Sequence, residues 1–473
     1  MRRAGAALAR ETASAARAAG LGGCGVAVFC GAGNNGGDGF HAAACLAADG
    51  FRPVVFFAGD AGKMSPETAA CHARAERKGI EVVPVRAEEA FAGPLLPVAV
   101  DALLGTGAGG NLRGAVRRCA EFLAETAGLR RATVAADVPT GYDAEAGTVA
   151  PDGLFVRTDV TVAMGWPKAG METAAGRDVC GSIRVADIGF PEACRGAAEE
   201  GAAEVEAITE AEARAVGGRR AAESHKGDYG RVFLFAGSAA YPGAGVLAAE
   251  AALRSGAGIV QVHTAEPERA AALAARVPAA VVNAAEPGAR TDAVLVGPGL
   301  EADAARAAFA AVEAMGRPCA LVLDAGALGN VEAERIARLA ASGWRVVLTP
   351  HGGELARLAG GVAADRAATA REVARRTGAV VVAKGNRTLV VAPDGRMAVN
   401  LTGNAGMACG GSGDVLAGYL AGLLARCGGA AAEAFAVARA AVWRHGAAGD
   451  VAAFRFGQEA MQAGDLPAFL AGW

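Results

Sequence analysis

The chain has 473 residues, with 46 Lys and Arg against 49 Asp and Glu and a formal charge of −3. That length suggests two domains, and the near-neutral balance argues against a nucleic-acid binder or a polybasic membrane binder. Hydrophobic residues reach 53 %, too many for disorder, so the 68 glycines, about twice the usual share, must sit mostly in ordered turns.

The opening MRRAGAALARETASAARAAG is rich in Arg and Ala, as transit peptides are. Its Ala/Leu pattern runs straight into a strand and predicts an ordinary first helix. Candidate strands follow at GVAVFC (25–30), PVVFFAG (53–59), IEVVPV (80–85), PVAVDALLG (97–105), ATVAADV (132–138), VTVAMG (160–165) and IRVADIG (183–189). Helical stretches such as Pro66–Lys78 and Arg113–Thr126 separate most of them, which indicates α/β architecture with a mainly parallel sheet. The following piece, EACRGAAEEGAAEVEAITEAEARAVGGRRAAE, lacks strong apolar periodicity, and the domain boundary is expected within it, between 1–204 and 205–473. A second series then runs RVFLFAG (231–237), IVQVHT (259–264), DAVLVG (292–297), ALVLDA (320–325), RVVLTP (345–350), AVVVAKG (379–385) and the hairpin-like TLVVAPDGRMAV. The last third reads as helical, with Asp414–Arg426 and Glu433–Arg444. The two halves show no alignable repeat and look like two different α/β domains.

The ten cysteines form no CxxC pair and no cluster at metal-ligand spacing. They read as small buried hydrophobes in a reducing compartment, and a cytoplasmic protein without a membrane span is expected.

In the second half, Gly411-Ser412-Gly413-Asp414 leads straight into an apolar helix. Glycines let backbone N–H groups turn inward, and a helix N-terminus adds positive potential, which together make an anion hole. Taken alone, Asp414 fits a helix cap and a catalytic carboxylate equally well. Its neighbours favour catalysis: Lys384-Gly385-Asn386-Arg387-Thr388, Thr349-Pro350-His351-Gly352-Gly353-Glu354 and Gly297-Pro298-Gly299 all end strands, on the rim where open α/β sheets place ligands. A lone histidine is more often structural than catalytic. The shared rim reverses that for His351, whereas His225 stays undecided.

In the first half, Gly31-Ala32-Gly33-Asn34-Asn35-Gly36-Gly37-Asp38-Gly39 follows a strand and precedes a helix expected near Phe40. One glycine-rich turn is weak support for phosphate binding. Its two asparagines and aspartate, with Asp101, Asp137 and Thr140 at further strand ends, supply hard oxygen donors suited to a cation.

These motifs carry a resemblance. HKGDYGRVFLFAGSAAYPGAG, DAVLVGPGL, LTPHGGELARL, AKGNRTLVV and NAGMACGGSGDVLAG stand in the order found in ADP- or ATP-dependent NAD(P)H-hydrate dehydratases, which have a ribokinase-like fold. GAGNNGGDG, DALLGTG, DVPTG and TVAMGWPKAGM resemble the Rossmann-like NAD(P)H-hydrate epimerase domain that accompanies the dehydratase in bifunctional repair enzymes. Three departures stand out. Gly326 replaces the second Asp of a usual Asp-Ala-Asp-Ala-Leu, Ser412 stands where Thr is common, and MRRAG replaces a Met-Glu-Asn-Ala-Gly-like segment, as if a preceding helix were missing. The last departure predicts a less stable or impaired first domain.

The resemblance implies substrates NADHX and NADPHX, with ADP or ATP as co-substrate, and a homo-oligomer. It implies that Asp414 is the dehydratase base and that Ala244, Gly299, His351 and Asp414 bind the hydrate. Lys384, Gly385, Asn386, Arg387, Thr388 and Gly413 would bind the nucleotide, with magnesium. In the epimerase, Asn34, Asn35, Gly36, Gly37, Asp38, Gly105, Thr106, Gly107, Ala108, Gly109, Gly110, Asn111 and Asp137 would contact the hydrate. Asn35, Asp101 and Thr140 would hold potassium. Asp137 is the candidate catalytic residue there, with Lys168 a weaker one. Rival readings are a small-molecule kinase of the ribokinase class and an active dehydratase joined to a non-catalytic binding domain.

Overall fold

A computed structural model describes residues 1–107, 110–190, 205–361, 365–427 and 433–470. The chain forms two compact units, Met1–Ala197 with Ala453–Gly457, and Ala198–Ala452 with Gln458–Trp473.

The first unit holds strands β1 (Gly25–Cys30), β2 (Arg52–Phe57), β3 (Glu81–Pro84), β4 (Val98–Ala102) and β5 (Ala132–Ala136), the hairpin β6 (Tyr142–Asp143) with β7 (Thr148–Val149), then β8 (Val160–Met164) and β9 (Ser182–Ala186). Its helices are α1 (Arg2–Ala18), α2 (Asn34–Ala48), α3 (Pro66–Arg77), α4 (Gly114–Glu125) and α5 (Ala174–Val179). Seven strands make one parallel sheet ordered β3-β2-β1-β4-β5-β8-β9. Its short apolar runs are buried on both faces, as parallel sheets require. Val26, Val28 and Cys30 face α1 and α2, while the alternate Ala27 and Phe29 face the α4 side with Cys119 and Leu123.

The expected first helix is present, and one expectation changes. Helix α1 begins at the second residue and packs on α2, β5 and β8, burying Ala4, Leu8, Thr12 and Ala16. Fully burying a leucine such as Leu8 contributes about 2 kcal/mol. The helix after β1 starts at Asn34 rather than near Phe40. Glycines are poor helix formers, yet here packing demands them: a Cβ on Gly36 would lie 1.8 Å from the Gly31 carbonyl oxygen.

The second unit holds β10 (Val205–Ala207), β11 (Arg231–Phe235), β12 (Ile259–His263), β13 (Val281–Asn283), β14 (Ala293–Val296), β15 (Ala320–Leu323), β16 (Arg345–Leu348), β17 (Val380–Ala383), β18 (Leu389–Val391) and β19 (Met397–Val399). Its helices are α6 (Glu210–Ala215), α7 (Pro242–Arg254), α8 (Pro267–Arg276), α9 (Ala302–Glu313), α10 (Gly326–Asn330), α11 (Ala333–Ala341), α12 (Gly352–Ala359), α13 (Arg366–Thr377), α14 (Ser412–Arg426), α15 (Ala434–Phe456) and α16 (Leu466–Phe469). The sheet order is β10-β19-β18-β17-β16-β15-β14-β11-β12-β13, and only the β18 pairings are antiparallel. Phe233, Val294, Leu321, Val346 and Val381 form one core with Phe309 of α9, Ile336 of α11 and Val373 of α13. On the other side α14 packs on α7 and on β11, β14 and β15.

The weakly patterned piece before β11 contains more structure than its periodicity suggests. β10 pairs with β19, and α6 opens on a capping box in which Thr209 and Glu212 satisfy each other's backbone N–H groups.

Candidate active sites

In the second unit the C-terminal ends of β15, β16 and β17 bring Asp324, Thr349 and Lys384 together. Lys384 Nζ donates to Asp324 Oδ1 at 2.6 Å, and Thr349 Oγ1 donates to the same oxygen at 2.8 Å. Only 1 % of Asp324 is exposed. The N-terminus of α14 meets this group. Gly411 is its cap at φ 97°, a conformation that strains any residue with a Cβ. A Cβ on Gly413 would lie 3.2 Å from Lys384 Nζ, so that glycine leaves room for the ammonium.

Asp414 is therefore the third residue of α14, not its cap, and its carboxylate makes no capping bond. A helix N-terminus lowers a carboxyl pKa, but burial outweighs this. Burial, with the nearby charge of Asp324, pushes Asp414 up to about 6 against the opposing pull of Lys384. Such a group is still mostly ionised at neutral pH and is a stronger base than a free aspartate. Beneath it, buried His445 donates from Nε2 to the Ser412 carbonyl at 3.0 Å, and burial drives its pKa down to about 4. It stays neutral and steadies the first turn.

Ala244 and Gly299 adjoin across this rim: a Cβ on Gly299 would come 2.7 Å from the Ala244 Cβ. The Lys384–Thr388 loop joins β17 to antiparallel β18. Arg366 braces it by donating to the carbonyls of Asn386 and Arg387, at 3.1 and 2.6 Å. Arg387 itself is buried and donates to the Leu401 carbonyl at 2.8 Å, so its guanidinium serves the loop. His351 caps α12, its Nδ1 accepting from Gly353 N at 3.1 Å while Glu354 returns the bond to the His351 amide at 2.9 Å. His225 and Asp228 repeat that box before β11.

In the first unit the strand ends meet at Asn35. Its Nδ2 donates to the carbonyls of Leu104 at 2.7 Å and Ala136 at 3.1 Å, tying α2 to the ends of β4 and β5. Asp101 is wholly buried, and that burial raises its pKa to about 6 despite hydrogen bonds from Thr140 and Leu103. Asp137 sits at φ 62°, accepts from Met164 N at 2.9 Å and pairs with Lys168. Asp38 Oδ1 is buried without a hydrogen-bond partner, 3.8 Å from the Met1 amine. Burial pushes Asp38 up to about 7, the amine opposing and Asp137 adding.

A cavity of about 550 Å³ lies beside this cluster, walled by Gly105, Gly110, Asn111, Arg113, Thr140 and Tyr142. Asn34 instead accepts from Ser65 Oγ at 3.0 Å. Ala108 and Gly109 lie outside the described residues. The Asp324–Lys384 pairing and His445 were missed from sequence, and Thr349 was read only as part of its rim loop. Asp324 had a motif to reveal it; His445, alone in a helix, had none.

A family model described as NAD(P)H-hydrate dehydratase matches residues 232–470, and one described as YjeF-related protein N-terminus matches residues 1–170. The bifunctional NAD(P)H-hydrate repair enzyme of Moorella thermoacetica is 35 % identical, over 94 % of this chain and 86 % of the relative. Its counterpart in Escherichia coli is 35 % identical over 93 % and 83 %. Among solved structures, an ADP/ATP-dependent NAD(P)H-hydrate dehydratase from Bacillus subtilis, co-crystallised with ATP and Mg²⁺, is similar at 32 % identity and a TM-score of 0.50. It covers 56 % of this chain and 96 % of its own.

Proposed function

The chain belongs to the family of bifunctional NAD(P)H-hydrate repair enzymes, and from that premise we propose how its residues divide the work. The second unit dehydrates the S hydrate at the expense of ADP or ATP, and the first interconverts the R and S forms. The observation that carries this reading is the placement of Asp414, a half-buried carboxylate in the first turn of α14, beside the glycine turn that leaves room for the Lys384 ammonium.

Hydrated NADH or NADPH carries a hydroxyl at C6 of the reduced ring and an added hydrogen at C5. Asp414 takes the hydroxyl proton as the oxygen attacks the terminal phosphorus of the nucleotide, and the phosphorus bond to the remaining nucleotide breaks. The amides of Gly411–Gly413 and the Lys384 ammonium stabilise the charge that develops on the phosphoryl oxygens. The ring nitrogen lone pair then expels phosphate from C6, and loss of the C5 proton restores the dihydropyridine. Magnesium would arrive on the nucleotide's own phosphates, supplying charge neutralisation. Ala244 and Gly299 leave a wall of small residues for the ring, and Lys384–Thr388 offers a braced loop to the nucleotide.

In the first unit, Asn35, Asp101 and Thr140 would hold potassium. The chemistry fits: Asp101 is a buried carboxylate without a cationic partner among the described residues, it accepts from Thr140 and Leu103, and the Asn35 amide holds the Leu104 carbonyl close by in sequence. A bound monovalent cation would supply the compensating charge. Asp137, held by Lys168, faces the hydrate with Asn34–Asp38 and the Gly105–Asn111 loop.

The test is recovery of the near-ultraviolet absorbance of reduced nicotinamide when the protein meets hydrated NADH with ADP or ATP. A stable phosphorylated product without recovery would make the second unit a small-molecule kinase. Use of the R form no faster than spontaneous epimerisation would make the first unit a binding domain.

A further inference from the structure

Lys384 could pair with either of two carboxylates. It is bonded to Asp324, at 2.6 Å, although Asp414 stands one residue from the Gly413 position that its ammonium nearly touches. The choice is built into the sheet. Asp324, Thr349 and Lys384 end three neighbouring parallel strands, β15, β16 and β17, so their side chains meet in a fixed row. Thr349 donates to the same Asp324 oxygen that Lys384 uses, which fixes the orientation of that carboxylate.

Among the described residues, the charged groups that act on Asp414 are Asp324 and Lys384. From α7, Leu247 lies against the Gly411 turn, and Ala463 lies against it from the segment before α16. From α15, His445 reaches Ser412 as a neutral ring.

We propose that Asp324 is a positioning residue of the dehydration reaction, which with Thr349 tethers Lys384 to the sheet and keeps it from quenching Asp414. An ammonium that swung onto Asp414 would form an ion pair and compete with the substrate hydroxyl for the base. Held on Asp324, the lysine uses one of its three N–H groups and keeps the others for the nucleotide phosphate. Asp414 is left with a free oxygen for the hydroxyl proton. The proposal rests on the reading of Asp414 as the base.

Two effects of Asp324→Asn push the same way. It removes a negative charge that raises Asp414, and it frees an ammonium that lowers it. The acid limb of the pH profile for S-hydrate dehydration should therefore move down by about one unit. kcat should fall by about a hundredfold, as misplacement of a catalytic group costs, with KM for the hydrate little changed. Thr349→Val should move both in the same direction by less, and it carries the test if Asp324→Asn does not fold. In a Lys384→Met background, Asp324→Asn should cost little more, because the group it restrains is gone.

An acid limb and kcat left at native values in Asp324→Asn would overturn the proposal. So would a double-mutant cycle in which the two losses simply multiply. Activity surviving in Asp414→Asn is a separate outcome: it would remove the base reading itself.

Discussion

Thr140 binds Asp101 through both of its donors, the backbone N–H to Oδ2 at 2.8 Å and the hydroxyl to Oδ1 at 2.7 Å. The two residues end β4 and follow β5, so the pair staples neighbouring strand ends where the Asn35 amide makes a second staple. Asp101→Ala should stop conversion of the R hydrate while S-hydrate dehydration continues at a near-normal rate. Potassium should speed the first reaction more than the second. At tenfold over its Kd it should stabilise the first unit by about 1.4 kcal/mol, and that gain should vanish in the variant. R-hydrate use unchanged by Asp101→Ala would remove the cation site from the reaction.

Asp414→Asn should abolish dehydration while nucleotide binding and the fold persist. The amide keeps the shape of the side chain at the third position of α14 but cannot accept the proton. A loss of about a hundredfold or more in kcat is the usual cost of a missing general base. Retention of activity within about tenfold would assign the base elsewhere.

Removing Lys384 has two consequences that separate in measurement. Lys384→Met should raise KM for the nucleotide much more than KM for the hydrate. It also leaves Asp324, 1 % exposed, without its counter-ion. Stranding a buried charge costs about 3 kcal/mol, and chemical denaturation of the second unit should register it. A change confined to KM for the hydrate would move this loop to the other ligand.

The Asp38 carboxyl rises from 3.8 to about 7 on folding, chiefly through burial. Because the folded pKa lies above the unfolded one, the folded state holds the proton more tightly. The resulting stability is whole below about pH 4 and drains away as pH climbs to about 7. The first unit should melt at a lower temperature at pH 8 than at pH 6, and Asp38→Asn should flatten that slope. An identical slope in the variant would place the titrating group elsewhere.

Strands were the most legible part of the chain. A parallel strand buried on both faces must be a short, continuous apolar run ended by a turn, and GVAVFC is β1 residue for residue. The start of α2 was not legible, because GAGNNGGDG has the composition of a loop. Only contacts made in three dimensions, such as Gly36 against the Gly31 carbonyl, show why a helix carries those glycines. β10 and α6 were missed for another reason. Their apolar pattern is weak, yet the Thr209-to-Glu212 spacing of a capping box was there to read.

For the candidate sites, the loops named from sequence fall at strand ends, and the structure shows which of their side chains meet. His351 lies on the strand-end rim, and its ring and Glu354 cap α12, which no rim position could foretell. The Lys384–Asp324 bond joins residues 60 apart in the chain. Nothing local in AKGNR or VLDAG says that either residue looks to the other.

Helix α14 lies on α7 through Gly418 and Gly422: a Cβ at Gly418 would stand 2.1 Å from the Ala248 carbonyl oxygen, and one at Gly422 would stand 2.2 Å from Ser255 Oγ. With so little space at these two glycines, the two helices have no slack along their seam. One carries Asp414 at its head, and the other carries Ala244 at its own. On the proposed reading, the proton acceptor and the wall for the reacting ring therefore ride on a single rigid mount. A methyl group added at Gly422, about 12 Å down the helix from Asp414, would pry that mount open and misalign the chemistry without touching substrate.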